Sequence, residues 1–309
     1  MARLGRTDLD IFPLCLGGNV FGWSANEQES CAVLDAYAAA GGNFIDTSDS
    51  YSAWVPGHVG GESETIIGRW MAARGARSRT IVATKVGRLP GRLGLAPKNI
   101  RAAAEDSLRR LGVDRIDLYY AHADDPETPI DESLRAFDAL VREGKVRYIA
   151  ASNFTAPRLS EALAISARDG LARYVALQPH YNLVHRNEYE GPLSDVCARE
   201  GLACLPYFAL AKGFLTGKYR PGVTVESVRA EGARAYLDDR GRRILSVLDE
   251  VAAAHGVSVA AVSLAWLLAQ PTVAAPIASA RTVTQLAELL PVATLRLTGD
   301  EVRRLTSQL

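Results

Sequence analysis

The sequence has no excess of either charge. Lys plus Arg and Asp plus Glu each number 35, so the formal net charge is zero. A chain built to hold nucleic acid or an acidic membrane surface would carry a basic balance, so neither partner is expected. Cysteine is scarce: Cys15, Cys31, Cys197 and Cys204 include no C-x-x-C pair and no histidine at zinc spacing. They read as reduced thiols in packed segments. No run approaches the roughly 18 apolar residues of a membrane helix. Met1–Asp8 shows no apolar secretory stretch, which leads to an expected cytoplasmic location. The G-x-G-x-x-G signature of an open doubly wound dinucleotide fold is missing as well.

What is present is a regular alternation. The 309 residues are 48% hydrophobic, enough for a sizeable core. Short apolar runs occur at Leu14–Gly18, Asn43–Asp46, Thr80–Lys85, Ile116–His122, Val146–Asn153, Arg173–Gln178, Leu202–Tyr207 and Val273–Ile277. Runs of this kind, rather than alternating ones, suit strands buried on both faces. Helical spacing fills the intervals, as in Ile100, Ala103, Ala104, Ser107, Leu108 and Leu111, or Leu134, Phe137, Leu140 and Val141. The expected fold is α/β: a (β/α)8 TIM barrel, one domain over residues 1–309. Leu4–Phe12, with Gly5-Arg6-Thr7-Asp8 at its turn, reads as a β-hairpin capping the barrel bottom. Ser50–Gly61 and Phe208–Ala235 read as long loops after strands 2 and 7, on the face where barrels carry function.

Ionisable residues recur where these strands end. Asp46 ends strand 2, with Tyr51 five residues on; Lys85 ends strand 3 and His122 ends strand 4. Each alone has an ordinary explanation as a cap or rim residue. Together, on strands about 4.8 Å apart, they converge over one end of the barrel. A phenol with a reference pKa of about 10 is a sluggish acid at neutral pH. A nearby ammonium should lower that value, and a buried ammonium needs a counter-charge. Lys85 and Asp46 supply those parts, while His122 can orient a substrate oxygen or share its proton. No member is a nucleophile paired with a base, which argues against acyl transfer. His122, Asp124 and Asp125 could suggest a metal-assisted hydrolase. However, no second histidine ends an early strand: His58 lies in a loop, and His180 and His185 follow strand 6. No metal is expected.

In order and context, Asp46, Tyr51, Lys85 and His122 resemble the tetrad of the aldo-keto reductase family. The resemblance runs from Leu4-Gly5-Arg6-Thr7 to Gln285, through Phe44-Ile45-Asp46-Thr47-Ser48-Asp49-Ser50-Tyr51 and Gly61-Glu62-Ser63-Glu64-Thr65-Ile66-Ile67-Gly68. It implies an NADPH-dependent oxidoreductase that reduces an aldehyde or ketone, with Tyr51 as proton donor. It further implies an extended nicotinamide dinucleotide across the barrel top. Ser152, Asn153 and Gln178 would hold the carboxamide and Tyr207 would stack on the nicotinamide ring. The segment Tyr207–Lys218, with Phe208, Leu210, Lys212, Gly213 and Lys218, would cover the pyrophosphate. Ser279, Arg281, Gln285 and Glu288 would hold the adenosine phosphate, Arg281 meeting the 2′-phosphate that separates NADPH from NADH. Trp23 and Trp54 are candidates for an apolar substrate wall. Three departures stand out: Phe208-Ala209 replaces a common Ser-Pro, Leu289 replaces an Asn against adenine, and Ala123 after the histidine should widen the substrate cavity. The same fold can serve as an NADP(H)-binding regulatory or sensing subunit, which a complete tetrad disfavours. The physiological substrate and the oligomeric state leave no signal in the sequence.

Overall fold

The computed structural model describes residues 1–308. Its main sheet has eight strands: Cys15–Gly17 (β1), Phe44–Asp46 (β2), Ile81–Val86 (β3), Ile116–Ala121 (β4), Val146–Ser152 (β5), Tyr174–Gln178 (β6), Ala203–Cys204 (β7) and Ile277–Ala278 (β8). The order is β7-β6-β5-β4-β3-β2-β1-β8, and every neighbouring pair is parallel. The two edges meet. Cys204 N–H donates to the Thr272 carbonyl at 2.8 Å, Ala274 N–H to Cys204 at 3.0 Å, and Ile277 N–H to Pro206 at 2.9 Å. The sheet therefore closes into the expected (β/α)8 barrel, which leaves no free edge.

Alternation along each strand builds two packed layers. Phe44, Ala83, Leu118, Tyr120, Ala150 and Ala176 point inward and fill the barrel, bulky beside small, so that the closed sheet is a core and not a pore. Ile45, Val82, Tyr119, Ile149 and Leu177 face outward beneath the helices. Those helices begin with Glu27–Ala39 (α1), Glu62–Arg74 (α2), Pro97–Leu111 (α3), Ile130–Arg142 (α4), Ala156–Asp169 (α5) and Pro192–Glu200 (α6). They continue as Ala230–Arg234 (α7), Asp239–His255 (α8), Val259–Leu268 (α9), Val283–Leu289 (α10) and Gly299–Thr306 (α11). On α3 the six residues picked out by spacing are the six that are buried. Among the described residues, no single helix is long and apolar enough to cross a membrane.

The N-terminal hairpin pairs Ala2–Arg3 with Asp10–Ile11, antiparallel. Leu4, Leu9 and Ile11 join the inner cluster and plug the end of the barrel where the strands begin. Gly5 turns with φ +52°, and a Cβ there would come within 2.9 Å of the Val175 carbonyl. The plug is seated directly on the start of β6.

Two strands fall furthest short of their apolar runs. β7 was expected over Leu202–Tyr207 and β8 over Val273–Ile277. Pro206 and Pro276 have no N–H to give, so each ladder breaks up into single bonds around them. The segment after β7 is not wholly a loop either: it holds a 3-10 stretch, Ala211–Thr216, and α7. A small hairpin after β3, Arg88–Leu89 with Arg92–Leu93, was not foreseen.

Candidate active site

Asp46 stands opposite Ala83 in the β2–β3 ladder, so Lys85, two residues along, shares its inward face. Their side chains are 2% and 0% exposed. Neither charge could remain there alone. Lys85 Nζ has three hydrogens and three acceptors: Asp46 Oδ2 at 2.6 Å, the Thr47 carbonyl at 2.8 Å and the Tyr51 hydroxyl at 3.0 Å. Gln178, ending β6, donates Nε2 to Asp46 Oδ1 at 2.9 Å, and the Tyr51 hydroxyl donates to Oδ2 at 3.2 Å. The buried pair is fully satisfied.

Burial, and after it the Asp46 carboxylate, push the Tyr51 phenol well above its ordinary value. This corrects the expectation that Lys85 would pull it down. The ammonium is matched by a carboxylate at similar distance, so its field at the phenol is largely cancelled and lost hydration decides. Tyr51 holds its proton. His122 follows β4, its backbone N–H donating to the Val86 carbonyl at 2.9 Å, its ring edge-on to Tyr51 with centroids 6.2 Å apart. Burial, then the charges of Lys85 and Arg88, push the imidazole well below its ordinary value. It is neutral near pH 7, a hydrogen-bonding group and not a cation.

Asp46, Tyr51 and His122 open into a cavity of about 950 Å3 at the ends of the strands, the upper part of the range for ligand pockets. Lys85 sits behind its wall. Every residue expected to hold a cofactor lines this cavity: Ser152, Asn153 and Gln178; Tyr207, Phe208, Leu210, Lys212, Gly213 and Lys218; Ser279, Arg281, Gln285 and Glu288. Several brace one another. Asn153, in the left-handed region at φ +56°, donates to the His122 carbonyl at 2.9 Å and accepts from the Tyr207 hydroxyl at 2.7 Å. Phe208, Ala211, Lys212 and Gly213 all have positive φ, a concentration of strain of the kind that collects at binding loops. Asn182 pins that turn by donating to the Phe208 carbonyl at 2.9 Å. Arg281 lies just ahead of α10, whose N-cap is Thr282.

Residues 13–309 match the model of the Aldo/keto reductase family. The chain belongs to that family. It is 32% identical over 298 residues to "Probable voltage-gated potassium channel subunit beta" of Oryza sativa subsp. japonica, covering 93% of this chain and 88% of that protein. It is 35% identical over 311 residues to "Uncharacterized oxidoreductase YrpG" of Bacillus subtilis (strain 168), covering 98% and 93%. "Norsolorinic acid reductase B" of Aspergillus parasiticus (strain ATCC 56775 / NRRL 5862 / SRRC 143 / SU-1) is 32% identical over 310 residues, covering 94% and 79%.

Within the aldo/keto reductase frame some expectations need correction. Trp54 lines the cavity, but Trp23 lies outside its wall, edge-on to Trp54 with centroids 5.4 Å apart and beneath the Arg229 guanidinium. Ala123 is not among the residues that line the cavity. Leu289 does line it. Arg229 and Arg88 line it too and were missed: both belong to segments whose path over the barrel is not written in local spacing. No local signal marked Arg229, which follows Glu226 by three residues in a long loop and shares that stretch with Arg220 and Arg234. His180, His185 and Glu188 bring ligand atoms within 4.8 Å of one another. The two imidazoles stack face to face, centroids 3.6 Å apart and 11° from parallel, so their lone pairs run side by side and not toward one point.

Proposed function

We propose that this aldo/keto reductase family member is an NADPH-dependent carbonyl reductase. The observation that carries the reading is a buried Lys85–Asp46 pair holding a protonated Tyr51, beside a neutral His122, at the wall of a cavity with room for a dinucleotide and a small substrate. The residues present suit the phosphorylated cofactor. Lys218, Arg229 and Arg281 form no ion pair among the described residues, and burial with mutual repulsion lowers the proton affinity of Lys218 and Arg229. Unneutralised cations on one wall call for a polyanion, and a planar guanidinium at Arg281 suits a 2′-phosphate.

When bound, the nicotinamide supplies a hydride to the carbonyl carbon. The protein's part is the oxygen. Tyr51 donates its proton there, and Lys85, 3.0 Å from the hydroxyl, stabilises the phenolate left behind; Asp46 accepts from Lys85 at 2.6 Å and fixes its position. His122 orients the carbonyl through a ring N–H. Trp54 offers an apolar surface to a small-molecule carbonyl substrate, and a cytoplasmic setting accords with reduced cysteines.

The Tyr51→Phe variant tests this. NADPH binding, followed by fluorescence titration, should persist, while turnover on a carbonyl panel should fall by about 10²–10⁴-fold. Unchanged turnover refutes the role of Tyr51. The rice relative is named as a channel subunit, which leaves a second reading, an NADP(H)-binding regulatory or sensing subunit with little turnover. Tight NADPH binding by the wild type, with no turnover on the panel and a co-purifying partner, would favour it.

A further inference from the structure

Behind the His122 imidazole lies a buried carboxyl that the proposed reaction does not use. Asp49 is 2% exposed. Its one side-chain hydrogen bond among the described residues comes from Ser48, whose Oγ is 3.2 Å from Asp49 Oδ1. The same Oγ is 3.2 Å from His122 Nδ1, and Ser48 is itself fully buried. A serine oxygen has one hydrogen to give and two lone pairs. The Ser50 N–H occupies one lone pair at 3.2 Å. One donor site and one acceptor site remain between Asp49 and His122, with the Ser50 hydroxyl, 3.0 Å away, free to rotate to either side.

We propose that Asp49 is a positioning residue which, through the Ser48 hydroxyl, decides which nitrogen of His122 carries its hydrogen. Because His122 is neutral, only one nitrogen can. Nε2 has no protein partner among the described residues, and His122 lines the cavity, so Nε2 is the nitrogen a ligand meets. With Asp49 protonated, its O–H is given to Ser48 Oγ, Ser48 gives its hydrogen to Nδ1, and Nε2 carries N–H. With Asp49 ionised, Ser48 gives its hydrogen to the carboxylate, Nδ1–H is given to Ser48, and Nε2 is a bare lone pair. The states differ by one proton. The Nε2 proton leaves through the cavity, the Ser48 hydrogen moves to Nδ1, and the Asp49 hydrogen moves to Ser48. An N–H at Nε2 serves a carbonyl oxygen, and a lone pair there serves an alcohol hydroxyl, so Asp49 biases the direction of the reaction.

The surroundings hold Asp49 close to its balance point. Burial, then the Glu64 carboxylate of α2, push it up to about 7, opposed by the Ser48 hydrogen bond and then by Arg110 of α3 and Arg92 of the small hairpin. Tyr119 of β4 faces the same group. Neither arginine is free to neutralise it, since Arg110 pairs with Glu64 and Arg92 with Asp106.

The experiment uses cofactor-free protein labelled with ¹⁵N-histidine, with the His122 signals identified by their loss in His122→Asn. Imidazole shifts report the tautomer directly, so this part stands even if the reductase reading fails. Wild type should carry its hydrogen on Nε2 near pH 6 and on Nδ1 near pH 8. Asp49→Asn and Ser48→Ala, each close to isosteric, should both abolish that exchange. A His122 tautomer that stays constant with pH in wild type overturns the proposal, as does an exchange that survives in Ser48→Ala. On turnover, which rests on the reductase reading, wild-type kcat for reduction should fall about tenfold from near pH 6 to near pH 8. Asp49→Asn should be flat, with the cofactor KM unchanged in both. A purely structural role for Asp49 would shift kcat at every pH alike, and that result also overturns the proposal.

Discussion

A single lysine carries the heaviest load in this site. Lys85 is buried with all three hydrogens engaged, so removing it exposes what each partner was held for. Lys85→Met leaves Asp46 charged and uncompensated, which should cost about 3–5 kcal/mol of stability. Adding Asp46→Asn removes the orphaned charge and should restore much of that loss, without restoring turnover. Denaturant unfolding of the wild type, the single and the double variant checks the first half, and a carbonyl assay the second. If the double variant is no more stable than the single one, the pair is not the electrostatic unit described. At this scale the tetrad was legible because strand ends bring distant residues together by topology alone. Which way Tyr51 shifts was not, because that depends on how nearly Asp46 cancels Lys85, a matter of distances. Nor was Arg229, placed by a loop that no periodicity describes.

Elements obey the same division between local rule and tertiary contact. Gly68 sits inside α2, where propensity alone favours Ala by about 1 kcal/mol. A Cβ there would lie 2.4 Å from the Arg110 carbonyl and 2.7 Å from that of Leu111, at the end of α3. Backbone cannot yield as a flexible side chain does, so packing decides the sign. Gly68→Ala should destabilise by about 1–3 kcal/mol, read as a lower melting temperature; a variant as stable as wild type would show that α2 and α3 can separate freely. The buried stripe of α3 was readable because six positions repeat with the helical period. The ends of β7 and β8 were not, because apolar runs continue through Pro206 and Pro276 while hydrogen bonding does not. The hairpin Arg88–Leu93 escaped notice because it is too short to show any period.

For the whole molecule, the alternation of apolar runs and helical spacings implied parallel strands covered on both faces, and the missing G-x-G-x-x-G signature favoured a closed barrel over an open doubly wound sheet. What alternation does not reveal is where the barrel keeps an uncompensated charge. Asp49 is such a place, and it ties global stability to pH. Its carboxyl rises from an ordinary 3.8 to about 7 on folding, so the native state holds this proton more tightly than the unfolded chain does. The sign follows: the contribution to stability is full below about pH 4 and is lost as pH rises through about 7. The loss amounts to something on the order of 4 kcal/mol. Asp49→Asn cannot ionise, so it should gain on wild type steadily across that window and hold the gain at higher pH. Paired urea titrations near pH 5 and pH 8 isolate this group, because every other carboxylate is common to both proteins. A difference between the two proteins that is the same at both pH values would mean that Asp49 is ionised in the fold throughout, with a cation near enough to stabilise it.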